Sequence, residues 1–209
     1  GTGGQWQARL ISEDGSHFAV LFDGVEQGEV RWSLTGQHSV ANALVTLAAA
    51  RHVGVVPALG VAALSQFHSV KRRMEKVAEV RGITLYDDFA HHPTAIATTL
   101  DGLRKSVGGA QVIAVIEPRS NSMKLGAHRQ GLPDSVVQAD RVFWYAPPNL
   151  GWDLAATVAG SPVPTQVCDS LEAIIAGVKA HAAVGTQVVI MSNGGFGGLH
   201  GKLAKALEA

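Results

Sequence analysis

Three short runs, Val112–Ile116, Val142–Tyr145 and Gln187–Met191, are apolar almost throughout, and they constrain this chain more than any other feature. A strand with one face in water alternates apolar and polar residues. A run without that alternation predicts a sheet covered on both faces. Segments of helical character lie before, between and after these runs. Pro93–Leu103 carries its proline in the first turn, where a missing N–H costs nothing. A second helix is predicted from the capping box Asp169-Ser170-Leu171-Glu172 to about Ala182, and a third spans Leu199–Leu207. Met74–Val80 and Ile83–Tyr86 read as strands around an Arg81-Gly82 turn. Strands alternating with helices from about residue 74 onward predict an α/β fold with a Rossmann-like, doubly wound, mainly parallel sheet.

The first third of the chain reads differently. Trp6–Leu10, His17–Phe22 and Glu29–Trp32 have a strand-like alternation, with turn residues at Glu13–Ser16 and Asp23-Gly24. A small antiparallel meander results, and three strands alone are marginal. The meander must therefore lean on something else, and helices are predicted next, at Val40–Arg51 and Pro57–Phe67. Two stretches here lack charge, Trp32–Ala50 and His52–Val70. Gln37, His38 and Asn42 interrupt the first, and Pro57, Gln66 and His68 the second, so both read as buried helices rather than membrane spans. A composition switch near His68–Lys71 places a domain boundary there, dividing the chain into residues 1–68 and 69–209.

Charge and cysteine usage exclude several classes. Lys and Arg number 17 and Asp and Glu number 17, so no excess charge builds a nucleic-acid or membrane footprint. Charged residues make up 16% and hydrophobic ones 46%. Ordinary chains carry about 25% charge, so disorder is excluded and a core-rich chain expected. Cys168 stands alone, which rules out a disulfide framework. With no basic start followed by an apolar run, it points to a cytoplasmic location.

Ligands in open α/β sheets collect beyond the carboxyl ends of the strands. Four polar or glycine-rich loops are expected on that rim: Tyr86–Pro93, Glu117–Lys124, Ala146–Asp153 and Ser192–Gly198. Asp87-Asp88 with His91-His92 offers carboxylate and imidazole, a set that suits zinc or manganese. Adjacent histidines diverge, however, and no further ligand cluster lies nearby, so no metal site is assigned. The same segment also reads as the polar cap of a helix, or as an anion contact at a helix N-terminus. Ser192–Gly198 resembles a phosphate loop but lacks the Gly-Lys-Ser/Thr ending, and close packing of strand on helix explains its glycines equally well. Lys71-Arg72-Arg73 is either a solvated linker or a set of cations facing a nucleotide. No nucleophilic triad emerges.

Taken in order, five segments resemble the Mur ligase family. Gly36-Gln37-His38-Ser39-Val40-Ala41-Asn42 is similar to the helix start of its central domain. Lys71-Arg72-Arg73-Met74-Glu75 resembles the entry to its C-terminal domain. Asp87-Asp88-Phe89-Ala90-His91-His92-Pro93-Thr94 matches the form found in members that act on UDP-N-acetylmuramate. Glu117–Gly126 and Met191–Gly198 complete the set. The resemblance implies an ATP- and Mg²⁺-dependent amide ligase of peptidoglycan recycling. Such an enzyme would join the murein tripeptide L-alanyl-γ-D-glutamyl-meso-diaminopimelate to UDP-N-acetylmuramate through an acyl phosphate. It further implies that His38 and Asn42 border adenine, that Arg73 faces the ATP phosphates and that Asp88 touches the ribose. On the peptide side it implies His91, His92, Arg119, Asn121, Lys124, Asn149 and Asp153.

Two departures stand out. Ser39 occupies the place of a family Asn, and no Gly-Lys-Thr/Ser loop occurs in the 209 residues. The expectation is thus a fragment, the tail of a central ATPase domain followed by a C-terminal domain. It would be inactive alone, would bind neither ATP nor Mg²⁺ by itself, and would depend on the missing N-terminal and central domains. Two readings from other classes compete. One is a stand-alone, non-catalytic α/β binding module. The other is a small oxidoreductase, which would need a G-x-G-x-x-G after its first parallel strand, and Asp87–His92 is not one.

Overall fold

The computed structural model describes residues 4–118 and 129–209. They form two compact units: residues 1–69 with 101–107, and residues 70–100 with 108–209.

In the first unit, strands β1 (Trp6–Leu10), β2 (His17–Phe22) and β3 (Val25–Arg31) make the antiparallel meander. Asp23 and Gly24 turn the β2–β3 hairpin with φ of 47° and 79°. Positive values at both positions suit the right-handed twist of the flanking strands. One face of the meander is apolar. Phe18, Val20 and Val30 close a core against Val40, Ala43 and Leu47 of α1 (Gln37–His52) and Val61 of α2 (Pro57–Ser65). The support that three strands required is therefore these two helices. Strand β3 begins at Val25, four residues before the expected start, because the tight hairpin brings Val25 directly opposite Phe22.

The second unit holds a six-stranded sheet in the order β4-β5-β9-β6-β7-β8. Its strands are β4 (Glu75–Val80), β5 (Ile83–Asp88), β6 (Val112–Ile116), β7 (Arg141–Tyr145), β8 (Thr165–Cys168) and β9 (Gln187–Met191). Only β4 runs antiparallel, paired to β5 through the Arg81-Gly82 turn. All other pairings are parallel. The Rossmann-like, mainly parallel sheet expected from the apolar runs is present. All five residues of β6 and Val188–Met191 of β9 are fully buried, as coverage on both faces demands. Strand β8 is absent from the expected elements. It is a four-residue edge strand that follows Pro162 and Pro164, and it carries too little apolar pattern to register. The five-residue helix α4 (Leu154–Val158) is absent for the same reason.

Chain direction decides which face each helix covers. Strands β5 to β8 step one way across the sheet, and α3 (Pro93–Val107) follows β5. The crossover from β8 through α5 (Leu171–His181) to β9 steps back. Right-handed crossovers therefore place α3 and α5 on opposite faces. Ile113 and Val115 of β6 and Val188 and Ile190 of β9 pack with Ile174 and Val178 of α5. Leu199, Leu203 and Leu207 of α6 (Leu199–Glu208) join the same cluster. A topological switch lies at β5, β9 and β6, where consecutive strands send their following chain to different faces.

Close approach of α5 to the sheet requires Gly177. A Cβ there would lie 2.3 Å from Cε1 of Phe143, a ring with no exposed surface. Gly177→Ala would gain about 1 kcal/mol of helix propensity. Overpacking of a core ring costs about 1–3 kcal/mol, and a 2.3 Å overlap belongs to the upper part of that range. The expected outcome is a net loss of about 1–2 kcal/mol in urea unfolding. A stabilised variant would show that α5 can lift off Phe143 without cost.

Candidate functional site

The rim beyond the switch point is built by three adjacent strand ends: Asp87 and Asp88 closing β5, Glu117 after β6, and Ser192 after β9. Backbone bonds carry the sheet into the rim, Ser192 N–H donating to Asp88 O at 3.1 Å and Glu117 N–H to Met191 O at 2.9 Å. Ser192 Oγ donates to the buried Glu117 carboxylate and accepts from Gly194 N–H at 3.0 Å. The glycine-rich loop is thereby folded back on its own strand. Phe196, Gly197 and Gly198 follow with φ of 44°, 56° and 72° and lead into α6. A left-handed path explains Gly197 and Gly198 without a phosphate. A Cβ on Gly197 would also meet Leu171 Cδ1 at 2.8 Å.

The two aspartates have separate tasks. Asp87 Oδ2 accepts from Arg72 Nε at 3.2 Å, and Asp87 Oδ1 lies 3.1 Å from His200 Nε2 of α6 without hydrogen-bond alignment. The Nη2 of Arg72 also donates to the carbonyls of Ser192 and Gly194, the latter at 2.8 Å. Asp88 is 2% exposed. Its Oδ2 accepts from Met74 N–H at 2.9 Å, and its Oδ1 from Ala90 N–H at 2.8 Å and Thr99 Oγ1 at 3.2 Å. Burial pushes its pKa above the usual carboxylate range, against the opposing pull of those donors and of Arg73.

Arg73 and Phe89 stand at the front of this arrangement. Arg73 is exposed, its guanidinium carbon 5.5 Å from the centre of the Phe89 ring. His91 packs edge-on to Phe89 at 5.4 Å, and His92 edge-on to His91 at 5.6 Å. His91 Nδ1 lies 2.8 Å from Phe89 O. A ring nitrogen facing a carbonyl must donate, so Nε2 is the acceptor of the neutral ring. Arg73, Asp88, His91 and His92 are therefore neighbours around Phe89.

The other expected site residues are placed elsewhere. Asn149 is exposed in the loop after β7, which β9 and β6 separate from β5. Asp153 in that loop caps α4, its Oδ1 accepting from Ala156 N–H at 2.9 Å. Arg119, Asn121 and Lys124 lie outside the described residues. In the first unit, His38 and Asn42 sit one helical turn apart on the exposed side of α1. Ser39 turns inward and donates to Thr35 O at 2.8 Å, so it builds the helix start rather than a ligand contact. Thr99 and His200 were not singled out from sequence as members of the site, and Arg72 and Ser192 were read only as parts of the Lys71–Arg73 and Ser192–Gly198 segments. Arg72 was hidden beside Arg73, since consecutive arginines carry no mark of which turns inward. His200 has no sequence signal at all. Among the described residues no group of three or more His, Cys, Asp or Glu is placed to hold a metal, and no helix is long and apolar enough to cross a membrane.

The sequence pattern of the "Mur ligase, glutamate ligase domain" matches residues 72–194, more than half of the chain. The chain belongs to the Mur ligase family. The UDP-N-acetylmuramate–L-alanyl-γ-D-glutamyl-meso-2,6-diaminoheptandioate ligase of Escherichia coli K12 is 46% identical over 208 residues, covering 99% of this chain and 46% of the relative. The ligase of the same name from Haemophilus influenzae is 42% identical over 209 residues, again 46% of its length. A murein peptide ligase from Psychrobacter arcticus, solved by crystallography, superposes with a TM-score of 0.74 at 45% identity, covering 99% of this chain and 45% of that one. The chain spans about half the length of the curated relatives it matches.

Burial of Asp88 has a measurable sign. Because its folded pKa is raised above an unfolded value of about 3.9, the folded chain holds the proton to higher pH. The contribution of this group is full below the unfolded pKa and is lost as pH rises through the folded one. Asp88→Asn removes that dependence and turns an amide toward a backbone N–H, a loss of about 1–3 kcal/mol. The stability gap between the native chain and the variant is expected to narrow from about pH 4 to pH 7 in urea unfolding. A gap that widens would mean that hydrogen bonding outweighs burial at this carboxylate.

Proposed function

We propose that this chain is the phosphate- and peptide-facing part of an ATP-dependent amide ligase of peptidoglycan recycling. The reaction read for the full-length protein joins L-alanyl-γ-D-glutamyl-meso-diaminopimelate to the carboxylate of UDP-N-acetylmuramate. One observation carries the reading: relatives bearing that ligase name align with 99–100% of the chain at 42–46% identity. The rim geometry supports it, with an exposed arginine and two histidines gathered at the switch point of a parallel sheet, where ligands bind.

In this reading the muramyl carboxylate attacks the γ-phosphorus of ATP, releasing ADP and leaving an acyl phosphate. The peptide amine then attacks the acyl carbon, releasing phosphate and losing a proton. Little covalent work falls to the protein, so positioning and charge neutralisation dominate. Arg73 on the rim meets the phosphates with its guanidinium fork. His38 and Asn42 border adenine. Asp88 meets the ribose through the remaining lone pair of Oδ2, the other acceptor positions being occupied by Met74, Ala90 and Thr99. His91, with Nε2 as acceptor, and His92 face the peptide. Arg119, Asn121, Lys124, Asn149 and Asp153 complete the recognition of its charged diaminopimelate end. The described residues do not fit a Mg²⁺ ion, since Asp87 is engaged by Arg72 and Asp88 by backbone donors. No step is assigned to one here.

The test is a phosphate-release assay with ATP, UDP-N-acetylmuramate and tripeptide. The full-length protein is expected to turn over and the 209-residue chain to release nothing above a boiled control, because a phosphate-loop lysine is needed. In the full-length protein, Arg73→Lys is expected to raise KM for ATP about ten- to a hundredfold, the worth of a lost charge-assisted contact of about 1.5–3 kcal/mol. Turnover by the short chain, or an unchanged KM in the lysine variant, would contradict these assignments.

A further inference from the structure

Arg72 and Met74 flank Arg73, and both hold φ values in the left-handed region, 62° and 48°. Residues with side chains adopt that region only where the surroundings impose it, and such places cluster at functional sites. Here several constraints can be named. Arg72 N–H donates to Glu75 Oε2 at 2.9 Å, and Arg72 O accepts from Phe89 N–H at 2.9 Å. Met74 N–H donates to Asp88 Oδ2 at 2.9 Å. The Arg72 side chain, half-buried, reaches Asp87 through Nε and the carbonyls of Ser192 and Gly194 through Nη2. The bend sends the Arg72 side chain inward and leaves Arg73 exposed, the two guanidinium carbons lying 5.2 and 5.5 Å from the centre of the Phe89 ring.

We propose that Arg72 is a positioning residue for Arg73: anchored on Asp87 and on two carbonyls of the glycine-rich loop, it holds the strained bend that projects Arg73 from the rim. The proposal rests on the reading of Arg73 as the phosphate contact. Arg72 touches no reacting atom and acts through its neighbour. Its fork is what the role needs. One planar group meets a carboxylate through Nε and two carbonyls through Nη2, whereas an ammonium presents its donors from a single point. The carbonyls it grips belong to the segment after β9 and the carboxylate to the end of β5, so the bend is referenced to both strands at the switch point.

A double-mutant cycle in the full-length protein tests this with Arg72→Lys, Arg73→Ala and the pair, reading KM for ATP, kcat and melting temperature. Arg72→Lys alone is expected to raise KM for ATP about tenfold. In the Arg73→Ala background the same change is expected to add no more than about twofold, the limit of experimental additivity. If Arg72→Lys multiplies the Arg73→Ala defect in full, Arg72 acts independently and the proposal is overturned. If Arg73→Ala leaves KM for ATP unchanged, the phosphate reading itself fails and takes this proposal with it. Should Arg72→Lys not fold, Asp87→Asn removes the charge that anchors the same guanidinium while keeping the shape of the side chain. It must then show the same loss of effect in the Arg73→Ala background, and an additive result overturns the proposal equally.

Discussion

The second unit depends on one insertion, that of β9 between β5 and β6. Neither neighbour bonds to the other, so the backbone groups on their facing edges are paired by the segment Thr186–Ser192 that runs between them. The segment is the last strand in the chain and among the most deeply buried. Its burial on both faces explains the absence of polar side chains between Val188 and Met191. Its arrival also delivers Ser192 and the glycine-rich loop to the rim. Fold and site are thus completed by the same event, and the contacts involved are long in sequence, the kind that form slowly.

Around that strand the rim separates two kinds of carboxylate work. Asp87 holds Arg72 at the unit's entry to β5 and lies beside His200 of α6. Asp88, one residue on and pointing to the other side of the pleat, receives only neutral donors and the more distant charge of Arg73. The alternation of a strand therefore assigns adjacent, chemically identical side chains to different surroundings. A pair that looks in sequence like a metal or acid–base couple is instead a clasp beside a backbone-capping group.

What the sequence disclosed and what it withheld follow the same logic. Fully buried strands such as β6 announce themselves, because coverage on both faces removes polar residues from the run. The Pro93 helix start and the helix start at Asp169–Glu172 were legible because each satisfies local backbone needs, though the cap is Ser170, whose Oγ accepts from Ala173 N–H, and not the Asp169/Glu172 box. Strand β8 was not legible, since Gln166 and Thr165 dilute its pattern and its existence depends on β7 beside it. The end of β5 was placed two residues short, at Tyr86, because charged Asp87 and Asp88 resemble loop residues until the Arg72 and Met74 contacts that hold them are known. Arg72 and Arg73 could not be told apart, for their difference lies in two backbone angles that no side-chain chemistry encodes. His38, Asn42, Arg73 and Asp88 were assigned through the resemblance of ordered segments rather than through any spacing that physics alone makes diagnostic.

The six-stranded sheet ends at β4 on one side and at β8 on the other, and the two borders are unlike. On β4, Lys76 and Glu79 are exposed and paired at 2.6 Å. A strand from another molecule would have to bring its own side chains alongside that charge. On β8 only four residues are in register, and Pro164 just before them has no N–H to offer. Charge at one border and brevity with proline at the other are the two commonest ways in which open sheets avoid recruiting foreign strands. The sheet is therefore finite by construction: six strands are paired, and neither margin is a template for a seventh.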